Sequence, residues 1–330
     1  MLIVEITLAI FGLILLSAGG YVLVAGGAAL AKRLQISSMV VGLTVVAYGT
    51  STPELAASLT AVFNSHTDLI LGNIVGSNIS NIGMVIGISA MIATGLVIDG
   101  KKRNGLGMRR RVVTKWLPIM IFVSFLMLLL SFDGEISQID GAILVAGLIV
   151  FTIYIVKSAK KQIPVGDVIE SEDPSGDMAI SRFKVNTTPR AIFAVVVGAV
   201  LLFMGGDLTV DGAVNVAEDL GISELVIGVV IVAIGTSLPE LITSVIAIRK
   251  KQMDIGIGNI VGSNIYNILL IGGISATLIG IPVSTDVFSN YYIMIAFSFV
   301  LFIGFRKFIP RFVGIGLAMA FVAYLVSLLV

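Results

Sequence analysis

The chain has 330 residues, a mean hydropathy of +1.07 and only 12% charged side chains, too few to cover a soluble domain of that size. It holds no Cys and one His, His66, which excludes disulfides, thiolate metal sites and a His-built metal centre. The net charge is +1, and no nucleic-acid partner is expected.

Apolar stretches of about 20 residues, enough to cross the hydrocarbon layer as helices, recur along the chain. Spanning helices satisfy their own backbone hydrogen bonds, so an all-α polytopic membrane protein is expected. Ten spans fit, near 3–31, 38–63, 68–96, 116–132, 139–156, 190–216, 223–248, 253–281, 289–305 and 312–330. The opening MLIVE lacks a basic region, so the first span reads as a retained helix and not a cleaved signal. All 21 Lys and Arg lie in loops after odd-numbered spans, from Lys32 and Arg33 to Arg306, Lys307 and Arg311. The positive-inside rule makes those loops cytoplasmic and puts both termini outside the cytoplasm, in a cell membrane. Trp116, Tyr291, Tyr292 and Phe308 near span ends read as interface anchors. The polar segment 157–189 reads as a cytoplasmic linker.

The chain repeats itself. Gly42 opens GLTVVAYGTSTPELAAS and Gly228 opens GVVIVAIGTSLPELITS. Gly72 opens GNIVGSNISNI and Gly258 opens GNIVGSNIYNI. Both pairs lie 186 positions apart, with no gap between the windows. Residues 1–156 and 190–330 therefore read as two five-helix repeats, with the duplicated windows at about 38–92 and 224–278. An odd number of spans turns the second copy upside down. Inverted repeats place a substrate near the midplane on interrupted helices.

Span two carries Gly49, Thr50, Ser51, Thr52, Pro53 and Glu54 at its middle. Pro53 lacks an N–H and its ring clashes with the carbonyl four residues back, so a break is expected that frees the carbonyls of Ala47 and Thr50. Gly235, Thr236, Ser237, Pro239 and Glu240 repeat the pattern. A carboxylate deep in a spanning helix is costly and marks function, and symmetric Glu54 and Glu240 should meet across the pseudo-two-fold axis. Asn73, Ser77 and Asn81 form one helical stripe of oxygen donors, as do Asn259, Ser263 and Asn267. Asn78 and Asn264 lie round from the stripe and are expected to bond the broken helices. Gly72–Gly76 and Gly258–Gly262 read as close-packing pairs. The donors are all hard oxygens, suited to Ca2+ and Na+ and unsuited to Zn2+ or Cu+. Asp207 and Asp211 share a face of span six, with Tyr21 and Ala25 at the equivalent places in span one.

The paired GTSxPE and GNxxGSNIxNI segments resemble the α-repeats of the cation/calcium exchanger superfamily, in particular its sodium/calcium exchanger branch. The resemblance extends over the ten-span architecture and is strongest in the paired windows. It implies a secondary-active antiporter that exchanges Na+ for Ca2+ by alternating access, with spans one and six sliding across the core. Carried over, Ca2+ would sit on Glu54 and Glu240 with the backbone oxygens of Thr50 and Thr236. Na+ sites would draw on Ala47, Thr50, Ser51, Glu54, Ser77, Asn81, Ala233, Thr236, Ser237, Glu240, Ser263 and Asn267. Many members of the family carry Asp where this chain has Asn267, which leaves this site one ionisable group poorer.

Two other functions fit the same residues. An H+/Ca2+ exchanger would trade protons on the two glutamates, and a passive cation channel would also use broken helices and acids. No Ser-His or metal-His arrangement supports an enzyme. No cofactor is expected beyond the transported Ca2+ and Na+, and the chain is expected to work as a monomer in the bilayer.

Overall fold

The computed structural model describes residues 2–64, 67–94, 96–98, 101–159, 185, 187–220 and 233–329. His66, the linker from 160 to 184 and the first part of the seventh expected span lie outside the described residues.

Helices dominate. The first half holds α1 (Leu2–Leu34), α2 (Ser38–Val41), α3 (Ala47–Thr50), α4 (Thr52–Phe63), α5 (Thr67–Ser80), α6 (Gly87–Ile92), α7 (Leu117–Leu130) and α8 (Gln138–Ala159). The second holds α9 (Thr188–Asp219), α10 (Ala233–Thr236), α11 (Leu238–Arg249), α12 (Met253–Tyr266), α13 (Gly273–Ile279), α14 (Val287–Val300) and α15 (Arg311–Ser327). Wider π-turns run into α3, α6 and α13, at Gly42–Val46, Asn81–Ile86 and Asn267–Gly272. Among the described residues, seven helices are long and apolar enough to cross a membrane, and Ser38–Thr50 and Arg311–Ser327 are shorter apolar helices. Span two divides into pieces because its GTSTPE segment interrupts it, so none of its helices alone has crossing length. Large side chains such as Phe122, Leu129, Val150, Phe193, Phe312 and Met319 are exposed, as a lipid-facing surface requires.

Short antiparallel strand pairs join the loops: β1 (Leu96–Ile98) with β2 (Lys101–Arg103), β3 (Gly105–Gly107) with β6 (Phe308–Pro310), and β4 (Glu135–Ile136) with β5 (Ile281–Pro282). The last two pairs tie the halves together beyond the helix ends. Arg109 adds an ion pair to Asp254 at 3.0 Å, fixing the three-four loop to the start of α12.

Helix α1 lies antiparallel along α9 on a ridge of glycines. A Cβ on Gly12 would sit 2.8 Å from the Gly205 carbonyl, on Gly19 2.8 Å from Leu202 N, and on Gly26 2.9 Å from Val195 N. Gly12, Gly19 and Gly26 recur 186 positions on as Gly198, Gly205 and Gly212, and these face α1 equally closely. Between helices in lipid there is little hydrophobic drive, so such backbone contact supplies the attraction. Of the two expected close-packing pairs only the second packs closely: Cβ atoms added to Gly258 and Gly262 would meet Met39 O at 2.8 Å and Ala47 Cβ at 2.7 Å, whereas those on Gly72 and Gly76 would meet nothing within 4 Å.

The halves are not in equivalent arrangements. Gly20 of α1 packs on α11, where its Cβ would meet Ile246 at 3.0 Å, Ile242 at 3.2 Å and Thr243 Cα at 3.5 Å. The mirrored Gly206 has Pro239 Cγ at 3.6 Å and no α4 atom within 4 Å. Beside Gly20, Lys250 Nζ stands 3.0 Å from the centre of the Tyr21 ring. The mirrored residues, Asn64 and Asp207, are both exposed.

Two expected anchors are elsewhere. Trp116 is buried among Phe151, Tyr154 and the Lys115 ammonium. Tyr291 is buried with its hydroxyl 3.0 Å from Ser131 Oγ. The Tyr291 hydroxyl has its polar partner inside the protein, and the Trp116 ring is enclosed by its neighbours, so neither ring lies at the surface where the headgroup layer would meet it.

Candidate cation site

Both GTSxPE copies fold alike. α3 ends at Thr50, Ser51 leaves helical geometry at φ −85° and ψ 9°, and α4 restarts at Thr52. Ser237 breaks the second copy at φ −89° and ψ 1°. Pro53 and Pro239 fall in the first turn of the new helix, where a missing N–H costs nothing. The break therefore sits two residues before each proline.

Each break delivers a glutamate to the start of a half-helix, where the helix dipole favours an anion. Glu54 is 1% exposed and Glu240 0%, and the two carboxyls adjoin. Ser51 Oγ donates to Glu240 Oε1 at 3.1 Å, and Ser263 Oγ does so at 3.4 Å. Thr50 Oγ1 lies 3.4 Å from Ser263 Oγ and donates to Asn259 Oδ1 at 2.9 Å. Groups from both copies thus form one polar cluster at two interlocking helix breaks.

Several oxygens there have no partner. Both carboxyl oxygens of Glu54, Glu240 Oε2, Ser237 Oγ, Asn81 Oδ1 and Asn267 Oδ1 are buried with no hydrogen-bond partner among the described residues. Buried polar atoms are nearly always satisfied, so such a concentration points to a bound species that supplies the missing partner. The donor chemistry fits a hard cation: two carboxylates, amide oxygens and hydroxyls. Among the described residues no three His, Cys, Asp or Glu cluster, so the neutral donors must supply the remaining oxygens.

The other expected residues take distinct places. The π-turns start at Asn81 and Asn267, and each packs against the broken half-helix of the opposite copy, α11 and α4 respectively. Asn267 spends its Nδ2 on Asn78 Oδ1 at 3.1 Å. Ser77 Oγ donates to Asn73 Oδ1 at 3.4 Å. The Ala47 carbonyl is not freed by the break: it keeps its helical bond from Ser51 N at 3.0 Å, and Thr50 Oγ1 lies 3.3 Å from it. At the second break Ser237 N bonds Ile234 O at 3.1 Å instead, one residue past Ala233. Thr236 is half-buried and has a partner of its own.

One expectation is reversed. Asn78 and Asn264 do not bond the broken helices. Asn78 Nδ2 reaches Asn264 O at 3.2 Å, and Asn264 Nδ2 caps Ile260 O in its own helix at 2.9 Å. Asn73 and Asn259 bond the broken helices instead, together with Ser58 and Ser244, which the sequence motifs alone do not single out. A signal for them is nonetheless visible: the duplicated motif ends in Ser in both copies, four residues after the glutamate.

A family model described as sodium/calcium exchanger protein matches residues 4–157 and 190–330. The sodium/calcium exchanger MaX1 of Methanosarcina acetivorans is 32% identical over 369 residues, covering 99% of both chains. The putative antiporter CaxA of Alkalimonas amylolytica is 33% identical over 324 residues, covering 95% of both. Among solved structures, one of the sodium-calcium exchanger NCX_Mj superposes with a TM-score of 0.79 at 29% identity, over 99% of this chain and 100% of that one. The chain is a multi-pass membrane protein that belongs to the sodium/calcium exchanger family.

Proposed function

We propose that the chain is a secondary-active antiporter that exchanges Na+ for Ca2+ at the Glu54–Glu240 cluster by alternating access. The observation that carries this reading is the convergence of two buried carboxylates, one from each inverted copy, with unpartnered oxygens around them. Two adjoining carboxylates cannot both stay ionised in a dry site without cations. A divalent ion matches their charge, and Na+ ions would do so with help from neutral oxygens. Ca2+ would rest on Glu54, Glu240 and the carbonyls of Thr50 and Thr236. Na+ would use Ser51, Ser77, Asn81, Ala233, Ser237, Ser263 and Asn267 in addition, and Ala47 through the carbonyl lone pair that its helical bond from Ser51 N leaves free. The ions then compete, and the ion-free occluded state is disfavoured by carboxylate repulsion, which couples the two fluxes.

The mismatch between mirrored contacts supports alternation. With the basic loops in the cytoplasm, the α1–α11 contact at Gly20 and the Tyr21–Lys250 stack closes the cytoplasmic side. The mirrored arrangement would bring Gly206 onto Ala56, Ala57 and Thr60 and Asp207 toward Asn64, closing the outer side. In this scheme residues 1–156 and 190–330 are the repeats of ten spans, both termini are outside, 157–189 is a cytoplasmic linker, and one chain suffices.

The test is Glu54→Gln and Glu240→Gln in reconstituted protein. Removing one partner of a buried charged site costs about 3 kcal/mol or more, so Ca2+ affinity should fall on the order of 100-fold. Na+-driven Ca2+ flux at the wild-type level in either variant would refute the assignment.

A further inference from the structure

Asn73 Nδ2 lies 3.0 Å from the Glu54 carbonyl oxygen and 2.8 Å from Ser58 Oγ. The mirrored Asn259 Nδ2 lies 3.5 Å from the Glu240 carbonyl oxygen and 3.1 Å from Ser244 Oγ. A carbonyl oxygen only accepts, so each amide must turn its NH2 toward the glutamate backbone. Its oxygen then faces the other way. Asn259 Oδ1 takes the hydroxyl of Thr50, from the break in the opposite copy, at 2.9 Å. Asn259, Ser58 and Ser244 are all buried.

We propose that Asn73 and Asn259 are positioning residues and not cation ligands, each holding a glutamate through its backbone carbonyl. Asn259 further ties the turn that carries Glu240 to the Thr50 break that carries Glu54. This rests on the reading of Glu54 and Glu240 as the cation site. A site that uses carboxylates from two separate half-helices needs both first turns held within about half an ångström of their binding geometry. The main-chain carbonyl of each glutamate has a second lone pair beyond its helical bond, and the Asn amide fills it. The carboxylate is thereby aimed without a contact to the carboxylate itself. Losing such an outer partner of a metal site lowers affinity about 10- to 100-fold.

The test turns on Asn259→Asp and Asn73→Asp in the full chain, with Ca2+ half-saturation and turnover measured in Na+-loaded proteoliposomes. An ionised Asp has the shape of Asn and adds a hard, charged oxygen, but it cannot donate to a carbonyl. If these residues were ligands, Ca2+ half-saturation would fall. As positioning residues they give the opposite: the NH2 serves two acceptors and a carboxyl in either protonation state cannot, so half-saturation rises about tenfold or more, with a smaller change in turnover at saturating Ca2+. Should the Asp variants fail to fold, Ser58→Ala and Ser244→Ala decide the matter. Each removes one acceptor of the clamp and is expected to weaken Ca2+ binding about two- to fivefold. Tighter or unchanged Ca2+ half-saturation in the folded Asp variants, or in the Ala variants when only those fold, overturns the positioning role. Failure of the wild type itself to take up Ca2+ overturns the reading of the site and this inference with it.

Discussion

At the scale of single residues, the two glutamates are a stability cost that only an ion offsets. A charged residue at the centre of a spanning helix costs about 3 kcal/mol on insertion scales, and two adjoining carboxylates add repulsion. Glu54→Gln should therefore raise the melting temperature of the ion-free protein while abolishing the further rise that Ca2+ gives the wild type. A ligand at 100 times its Kd stabilises by about 2.7 kcal/mol, large enough to read in a thermal-shift assay. A Ca2+-dependent shift of wild-type size in the variant would show that the ion binds elsewhere. These glutamates are legible in the sequence because a carboxylate beside a proline, placed twice in the middle of a spanning helix, weakens the fold and repays that cost only by binding something. The division of labour among the asparagines is not legible. Asn73, Ser77 and Asn81 fall on one stripe only if α5 continues as a regular helix. It instead widens into a π-turn at Asn81, as helices often do at functional sites, and nothing in the residue pattern announces that widening.

At the scale of elements, the break and the ridge are the two devices. The break follows from Gly49 and Pro53, yet it opens at Ser51, since Pro is comfortable in the first turn of the helix it begins. The ridge of small residues on α1 and α9 is readable by extending the 186-residue offset beyond the motif windows. The ridge makes a sharp prediction. Gly205→Ala would force a Cβ to 2.6 Å from Leu16 N and 2.8 Å from the Gly12 carbonyl, both backbone atoms that cannot step aside. A loss of about 1–3 kcal/mol in folding stability is expected. Gly206→Ala, one position on, meets Pro239 Cγ at 3.6 Å and should be tolerated, helped by the better helix propensity of Ala. Equal thermal stability of the two variants would mean that the α1–α9 contact is not a close backbone seam. The strand pairs leave no mark in the sequence, because two or three residues carry no alternating pattern; β3 and β6 pair across distant loops.

At the scale of the whole molecule, the inverted repeat lets one structure forecast another. The contacts of α1 on α11 have mirrored positions on α9 and α4 that are apart here, so the other closed state can be named in advance. The chain has no Cys, which leaves introduced pairs free of background. Tyr21→Cys with Lys250→Cys should be joined by a short thiol-specific cross-linker in the arrangement described here. Asn64→Cys with Asp207→Cys should be joined only when the ionic gradient favours the opposite arrangement, and either cross-link should stop transport. A second pair that never cross-links under any gradient would rule out the mirrored state.

The central claim is coupled exchange at one shared site. Its most direct test is radiolabelled Ca2+ uptake into proteoliposomes loaded with Na+, with Na+, K+ or neither outside, each with and without a pH gradient. Uptake that requires an outward Na+ gradient, persists without a pH gradient, and is lost in Glu54→Gln is the predicted result. Uptake driven by the pH gradient with Na+ absent would contradict it, making protons the exchanged ion on the same two glutamates.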